Sequence, residues 1–151
     1  MKNQTLVGAV MGVLTAGVVI GGATIAFAQA DVVKERQDNR KATAAQMRAI
    51  KGVIDSKGDT KAVLASAAKL KELEAAFVKL FPPGSDKDSK ALPTVWSDMP
   101  GFLAASKNVD AAYDKLAVAA GSGDLAAVTA AFSETGKACG ACHDKYRAKS
   151  K

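Results

Sequence analysis

The hydrophobic residues of the chain recur at the three- and four-residue spacing of amphipathic helices, not at the two-residue spacing of half-buried strands. A first helix is predicted from about Val32 to Ser56, and its inner face holds Val33, Arg36, Arg40, Thr43, Met47, Ile50 and Ile54. Gly58 is a residue type that ends helices, and Asp59 or Thr60 can cap the helix that follows.

A second helix is predicted from about Lys61 to Leu80, with one face formed by Val63, Ala67, Leu70, Phe77 and Leu80. The sequence Phe-Pro-Pro-Gly at 81–84 ends it, because proline cannot continue a helix. Residues 82–93 are polar and rich in Pro, Ser and Asp, which predicts a loop. Trp96 follows in a short, turn-like stretch, either as a wall for a cofactor or as a plug under the long loop.

Third and fourth helices are predicted from about Phe102 to Ala120 and from about Leu125 to Ala148. The sequence Gly-Ser-Gly at 121–123 predicts the tight turn between them, and Asp124 is a good N-cap. Four helices with short outer connections and a long middle connection predict an all-α fold, an antiparallel four-helix bundle.

The composition agrees with one narrow helical domain. The 151 residues include 31 alanines but only 5% aromatic residues, so the core has few bulky side chains and the helices can approach closely. The net charge of +6 comes from scattered lysines and arginines. This pattern favours a solvated surface that meets acidic proteins over a nucleic-acid interface.

The N-terminal segment has the features of a secretory signal. Lys2 is followed by an uncharged, largely apolar stretch from Leu6 to Ala28, and two overlapping Ala-x-Ala patterns place cleavage after Ala28 or Ala30. A retained membrane anchor is the alternative, since the stretch is about long enough to span a bilayer. We therefore expect residues 1–30 to be a signal peptide, residues 31–151 to form a single domain, and the mature chain to reside in the periplasm.

The motif that indicates chemistry is Cys139-Gly140-Ala141-Cys142-His143, the C-x-x-C-H attachment pattern of a c-type haem. Two thiols one helical turn apart can add to the two vinyl groups on one porphyrin edge. The adjacent histidine then supplies the proximal ligand of the iron. The motif predicts one haem c bound covalently through Cys139 and Cys142, with His143 as the metal ligand and directed into the bundle.

Other uses of the two cysteines are less well matched. A thioredoxin-like redox pair belongs at a strand-to-helix junction, a zinc site needs further Cys or His ligands, and a disulfide this short encloses almost no loop. A thiol-redox or metal-handling protein that uses Cys139 and Cys142 stays as the alternative function. A structural helical bundle with a disulfide is a third class.

Two arginines interrupt the inner face of the first helix. Arg36 and Arg40 need an anion or water there, because burying an unpaired guanidinium is costly. A haem propionate suits Arg36, since arginine binds carboxylates bidentately, and the alternative is an arginine that reaches solvent at the end of the bundle. The chain has one histidine, so a second histidine ligand is excluded, and Met47 is a weak candidate for the sixth ligand.

The sequence resembles the cytochrome c prime family. The resemblance rests on the C-terminal stretch from Ala131-Phe132 through Cys139-Gly140-Ala141-Cys142-His143 to Tyr146-Arg147, on Lys34-Glu35-Arg36-Gln37, and on Val95-Trp96-Ser97-Asp98. It implies a periplasmic four-helix-bundle cytochrome, with Arg36 and Gln37 near the haem propionates. The family carries a bulky apolar residue or a ligating methionine where this chain has Arg40.

This combination predicts a periplasmic c-type cytochrome that is not an enzyme and that transfers electrons, binds a small gas such as nitric oxide, or does both. The sequence does not name the redox partner. The resemblance, together with alanines that permit close helix approach, predicts a homodimer through the first two helices. The alanines are Ala42, Ala45, Ala49, Ala65 and Ala68.

Overall fold

The computed structural model describes residues 21–149, in which four long helices form a bundle. The helices are α1 (Gly21–Asp55), α2 (Val63–Phe77), a one-turn α3 (Thr94–Ser97), α4 (Met99–Ser122) and α5 (Leu125–Tyr146). Helix α2 packs between α1 and α4, α4 packs against α5, and α5 closes the ring against α1. The prediction of an all-α four-helix bundle is confirmed.

Helix α1 already includes Gly21, the first described residue, and so extends well before the predicted start near Val32. Positions 1–20 of the predicted signal sequence lie outside the described residues, and the rest of that segment is continuous with α1. The predicted inner face of α1 is correct, because each of its seven members, from Val33 to Ile54, is buried or half-buried. Within residues 21–149, no helix combines the length and hydropathy needed to cross a membrane.

The predicted second helix is divided into three parts. The Asp59 side chain accepts a hydrogen bond of 2.9 Å from the Lys61 backbone N–H and begins a 3-10 turn, Thr60–Ala62, ahead of α2. A second 3-10 turn, Val78–Leu80, ends the segment. The cap is as predicted, whereas the single long helix was wrong at both ends, where the backbone tightens into 3-10 turns.

The boundaries of α4 and α5 follow from their caps. Helix α4 begins at Met99 instead of Phe102, because the Asp98 side chain accepts from the Gly101 N–H and proline is tolerated in a first turn. Gly123 ends α4 with a left-handed φ of 80°, which favours glycine. Asp124 then caps α5 by accepting from two backbone N–H groups, as predicted.

The bundle has two hydrophobic clusters, one toward each end. The larger cluster joins all four long helices and consists of Ile50, Val63, Leu70, Val109, Tyr113, Leu116, Ala120 and Val128. The smaller, aromatic cluster lies under the long loop and consists of Phe81, Val95, Phe102 and Tyr146. Helix α5 ends at Tyr146, before the predicted Ala148, because the Ala148 N–H bonds to the Lys90 carbonyl of the loop.

Candidate functional site

The three residues of the C-x-x-C-H motif lie on the last two turns of α5. Cys139 and Cys142 are half-buried free thiols, and each packs against a different hydrophobic cluster, Cys139 against the larger and Cys142 against the aromatic one. His143 is exposed. The expectation that His143 points into the bundle is therefore wrong, since the position after Cys142 is rotated by about 100° toward the rim.

The surroundings of the motif set the protonation of its three side chains. Burial, and then the negative charge of Glu74, raises the pKa of both thiols, that of Cys142 to about 11. Partial desolvation, followed by the positive charges of Arg147 and Arg40, lowers the pKa of His143 below its ordinary 6.5. At neutral pH the imidazole is thus neutral, the form in which histidine binds metals.

A buried carboxylate faces the thiols from α2. Glu74 is 5% exposed, and its oxygens accept hydrogen bonds from Arg40 Nη1 of α1 at 3.0 Å and from Ser106 Oγ of α4 at 2.6 Å. Sequence reasoning missed Glu74, although it occupies a place on the inner face of α2, four residues after Leu70. A charged residue on this otherwise apolar face was the signal that could have predicted a buried ion pair.

The Tyr113 side chain of α4 completes the wall beside Cys139. It is fully buried, and its hydroxyl has no hydrogen-bond partner in the part of the chain that the structure describes. Burial is the main cause that raises the pKa of this hydroxyl, with the nearby Cys139 thiol second.

Arg36 is buried at 5% exposure and binds the long loop. Its Nε donates to the Leu80 carbonyl at 2.6 Å, Nη1 donates to the Ser85 carbonyl at 2.8 Å and to Ser89 Oγ at 3.2 Å, and Nη2 donates to Ser85 Oγ. One of the two N–H groups on Nη2 is unused among the described residues. Gln37, predicted to assist Arg36, is exposed.

Aromatic rings surround the Arg36 guanidinium. Its central carbon lies 4.3 Å from the ring centre of Phe81 and 5.6 Å from that of Trp96. The Trp96 indole N–H donates to the Pro82 carbonyl at 3.0 Å, and its ring meets that of Phe81 edge-on. These contacts place Trp96 under the long loop, one of the two positions that its sequence context allowed.

The residues present fit a covalently bound haem. The two thiols are one helical turn apart and lie between an aliphatic and an aromatic cluster, which suits an apolar ring. Gly140 between them is half-buried, yet a Cβ there would meet no atom within 4 Å, so there is open space beside the motif. Among residues 21–149, no three His, Cys, Asp or Glu side chains converge as a metal site of their own.

Comparisons with known proteins give one consistent result. The family model described as Cytochrome C' matches residues 31–147. A cytochrome c' of Rubrivivax gelatinosus is 43% identical over 93 residues, which are 60% of this chain and 72% of that protein.

Solved structures of cytochromes c' share the fold. A nitric oxide complex of a variant from Alcaligenes xylosoxidans superposes with a TM-score of 0.73 at 33% identity, and the match covers 81% of this chain and 97% of that one. Another, described as showing an unusual ligand-controlled dimer dissociation, has a TM-score of 0.73 at 27% identity over 80% of this chain and 97% of that chain.

Proposed function

The chain belongs to the cytochrome c' family and is a haem c protein, and on that premise we propose that it binds small gases such as nitric oxide at an open axial side of its haem. Cys139 and Cys142 would hold the cofactor through thioether bonds, and the neutral imidazole of His143 would ligate the iron. Bound haem supplies an iron centre that takes gas ligands and changes oxidation state.

The observation that carries this proposal is that residues 21–149 offer no histidine besides His143 as a second strong ligand and present a guanidinium on the inner face of α1. His143 is the only histidine in the sequence. Met47 and Met99 are the methionines among the described residues, and both are half-buried by packing against the two hydrophobic clusters. On the inner face of α1, Arg40 stacks on Phe77 beside the aromatic cluster that contacts Cys142, and a guanidinium does not ligate iron. A haem held by Cys139, Cys142 and His143 would then be able to bind an exogenous ligand at its iron.

The raised pKa of both thiols argues against the alternative of a thiol-redox protein. Redox-active cysteines have a lowered pKa, because the thiolate is the nucleophile. Here burial and the carboxylate of Glu74 act in the opposite direction on Cys139 and Cys142.

The test is a spectrum of the purified full-length protein in the ferric and ferrous states, before and after addition of nitric oxide and carbon monoxide. We expect a five-coordinate ferrous form whose spectrum changes with both gases. A six-coordinate, low-spin form that does not react would refute the proposal. Mass spectrometry should show one haem added to the wild type, and the Cys139→Ala/Cys142→Ala variant should carry none.

A second function, electron exchange with an acidic protein, is favoured by the surface around His143. The exposed imidazole marks the edge of the site nearest solvent, and the nearby side chains of Arg147 and Lys149 are exposed and positive. Such a patch would attract an acidic partner at low salt. Stopped-flow reduction by a negatively charged donor should slow at high salt in the wild type and lose that dependence in Arg147→Glu/Lys149→Glu.

We place the protein in the periplasm, on the ground that residues 1–30 have the features of a cleaved signal peptide. N-terminal sequencing of the mature protein, expected to begin at Gln29 or Asp31, tests this. An intact Met1 in the haem-loaded protein would contradict it.

The same protein is proposed to form a homodimer through α1 and α2. Ala45 and Ala49 on α1 and Ala65 and Ala68 on α2 are exposed, so two copies could approach closely there. Sedimentation should show a dimer, and Ala45→Glu/Ala65→Glu should convert it to a monomer. A wild type that stays monomeric at high concentration would exclude the dimer.

A further inference from the structure

Each of the four long helices contributes a polar side chain at the level of the thiols. Arg40 comes from α1, Glu74 from α2 and Ser106 from α4, and hydrogen bonds to Glu74 join the three, while Cys139 of α5 packs against the neighbouring larger cluster. A charged pair inside the bundle is costly to desolvate, so it is retained only with good geometry and further hydrogen bonds. The Arg40–Glu74 pair meets both conditions, because its N–O distance is 3.0 Å and Glu74 accepts a further hydrogen bond from Ser106.

The Arg40 guanidinium is fixed on three sides. Nη1 donates to Glu74 at 3.0 Å, while Nε and Nη2 donate to the Asn39 side-chain oxygen at 3.0 Å and 2.6 Å. Asn39 is itself anchored, because its Nδ2 donates to the Leu73 carbonyl of α2 at 2.9 Å. The ring centre of Phe77 lies 3.6 Å from the central carbon of the guanidinium. Arg40 is therefore held in one orientation before any ligand arrives.

Two N–H donors of Arg40 are left unused. A guanidinium has five, and the hydrogen bonds within the described residues occupy three, which leaves one on each terminal nitrogen. The Arg40 side chain is 30% exposed, whereas that of Glu74 is 7% exposed and already bonded to Ser106. An incoming ligand can therefore contact Arg40, whereas Glu74 is shielded from it.

Arg40 lies beside the cluster that contacts the motif. Its guanidinium stacks on the Phe77 ring at 3.6 Å, and Phe77 packs against the aromatic cluster that also contacts Cys142. An apolar side chain in this position would disfavour a negatively charged ligand, because an anion loses its hydration on entering the bundle. A fixed arginine with free donors has the opposite effect.

Building on the proposed open axial side, we propose that Arg40 is a specificity-determining residue that selects small anionic ligands, such as azide or cyanide, at the haem. Its two free N–H groups would donate charge-assisted hydrogen bonds to the anion, which are stronger than neutral ones. Glu74 and Asn39 act as positioning residues that hold the guanidinium. A neutral gas forms weaker hydrogen bonds with the same donors. Loss of Arg40 should therefore lower the affinity for anions much more than the affinity for neutral gases.

Equilibrium titrations of the haem-loaded full-length protein test this, with azide on the ferric form and carbon monoxide on the ferrous form. In Arg40→Leu we expect azide affinity to fall by at least about tenfold, equivalent to about 1.4 kcal/mol, and carbon monoxide affinity to change by less than about twofold. Arg48→Leu, an exposed arginine two turns further along α1, should change neither value.

Two further variants separate selection from structural damage. Arg40→Leu leaves Glu74 buried without its cation, so Arg40→Leu/Glu74→Gln removes both charges and should show the same selective loss of azide. Glu74→Gln alone keeps the arginine and removes the neighbouring negative charge, so azide affinity should not fall as it does in Arg40→Leu, and carbon monoxide affinity should be unaffected. Azide addition should also shift the NMR resonance of the Arg40 Nε–H in the wild type.

The outcomes distinguish this inference from the function on which it rests. A wild type that binds neither carbon monoxide nor azide would refute the open axial side itself. A wild type that binds both, with azide affinity unchanged in Arg40→Leu and in the double variant, would refute the role of Arg40 alone. Equal losses of azide and carbon monoxide would also refute it, because they would show a damaged pocket and not selection by charge.

Discussion

The Tyr146 hydroxyl donates a hydrogen bond of 2.9 Å to Asp98 Oδ2 and so ties the end of the motif helix to the start of α4. The same carboxylate accepts from Lys145 Nζ at 2.7 Å and from the Gly101 N–H at 3.1 Å. Asp98 thus caps α4 and fixes the last turn of α5, which begins at His143. The orientation of the motif depends in this way on a carboxylate 45 residues earlier in the chain.

Asp98→Asn should lower stability in a pH-dependent manner. Hydrogen bonds from Lys145 first, and then from Tyr146, lower the pKa of the Asp98 carboxyl below its ordinary 3.8. The stabilisation by the carboxylate is therefore present above 3.8 and is lost as the pH falls through the lower folded-state value.

The measurement is the urea midpoint of wild type and Asp98→Asn at about pH 6 and at about pH 3. The two proteins should differ at the higher pH and converge at the lower one. Glu35→Gln, at an exposed position of α1, should show no such convergence. An equal difference at both pH values would contradict the assignment.

Gly101→Ala should destabilise the protein by about 1–3 kcal/mol, the usual cost of overpacking. A Cβ at this position would lie 2.6 Å from both Asp98 Oδ1 and the Tyr146 hydroxyl. Thermal unfolding of Gly52→Ala is the matched control, since a Cβ at Gly52 meets no atom within 4 Å. That helical substitution should stabilise by about 0.5–1 kcal/mol, and a loss in both variants would point to a cause other than crowding.

The fold could be predicted from the sequence because its signals are local. The three-four spacing in α1 gave the correct buried face, and Asp59, Gly123 and Asp124 act as helix terminators or caps in the structure as they do in the prediction. A cap needs only its own turn of backbone, so neighbouring residues suffice to identify it.

The polar contacts of the site could not be predicted in the same way. Arg40 and Glu74 are 34 residues apart, and their pairing depends on the relative rotation and offset of two helices. The partners of Arg36 lie on a loop of short polar residues that could adopt several turn conformations. The helical spacing showed that Arg36 and Arg40 lie on a face where apolar residues are expected, but it did not show which groups they bind.

Cys142 should react slowly with alkylating agents in protein produced without haem attachment. Burial raises its pKa to about 11 from an ordinary 9.0, so at neutral pH its thiolate fraction is about a hundredfold below that of the unfolded chain. Iodoacetamide labelling followed by mass spectrometry should give a rate that rises until about pH 11. The unfolded protein in urea is the reference, and equal rates in the two states would contradict the prediction.

Arg36→Ala should lower stability by at least about 3 kcal/mol, since loss of a partner costs about 1–3 kcal/mol for each buried group left unsatisfied. Three acceptors would lose their donor: the Leu80 carbonyl, the Ser85 carbonyl and Ser85 Oγ. Ser85→Ala is the matched control. It removes one acceptor of the guanidinium but keeps the positive charge and the remaining bonds, so its loss of stability should be smaller.

The two variants also test the predicted contact of Arg36 with a haem propionate. One N–H of Nη2 is unused among the described residues, and a propionate is an acceptor suited to it. A positive charge beside the cofactor stabilises the reduced iron, so Arg36→Ala should make the reduction potential more negative, whereas Ser85→Ala should leave it nearly unchanged. Potentiometric titration of the haem-loaded variants measures both. If the two substitutions shift the potential equally, Arg36 acts only through the loop, and the propionate contact is wrong.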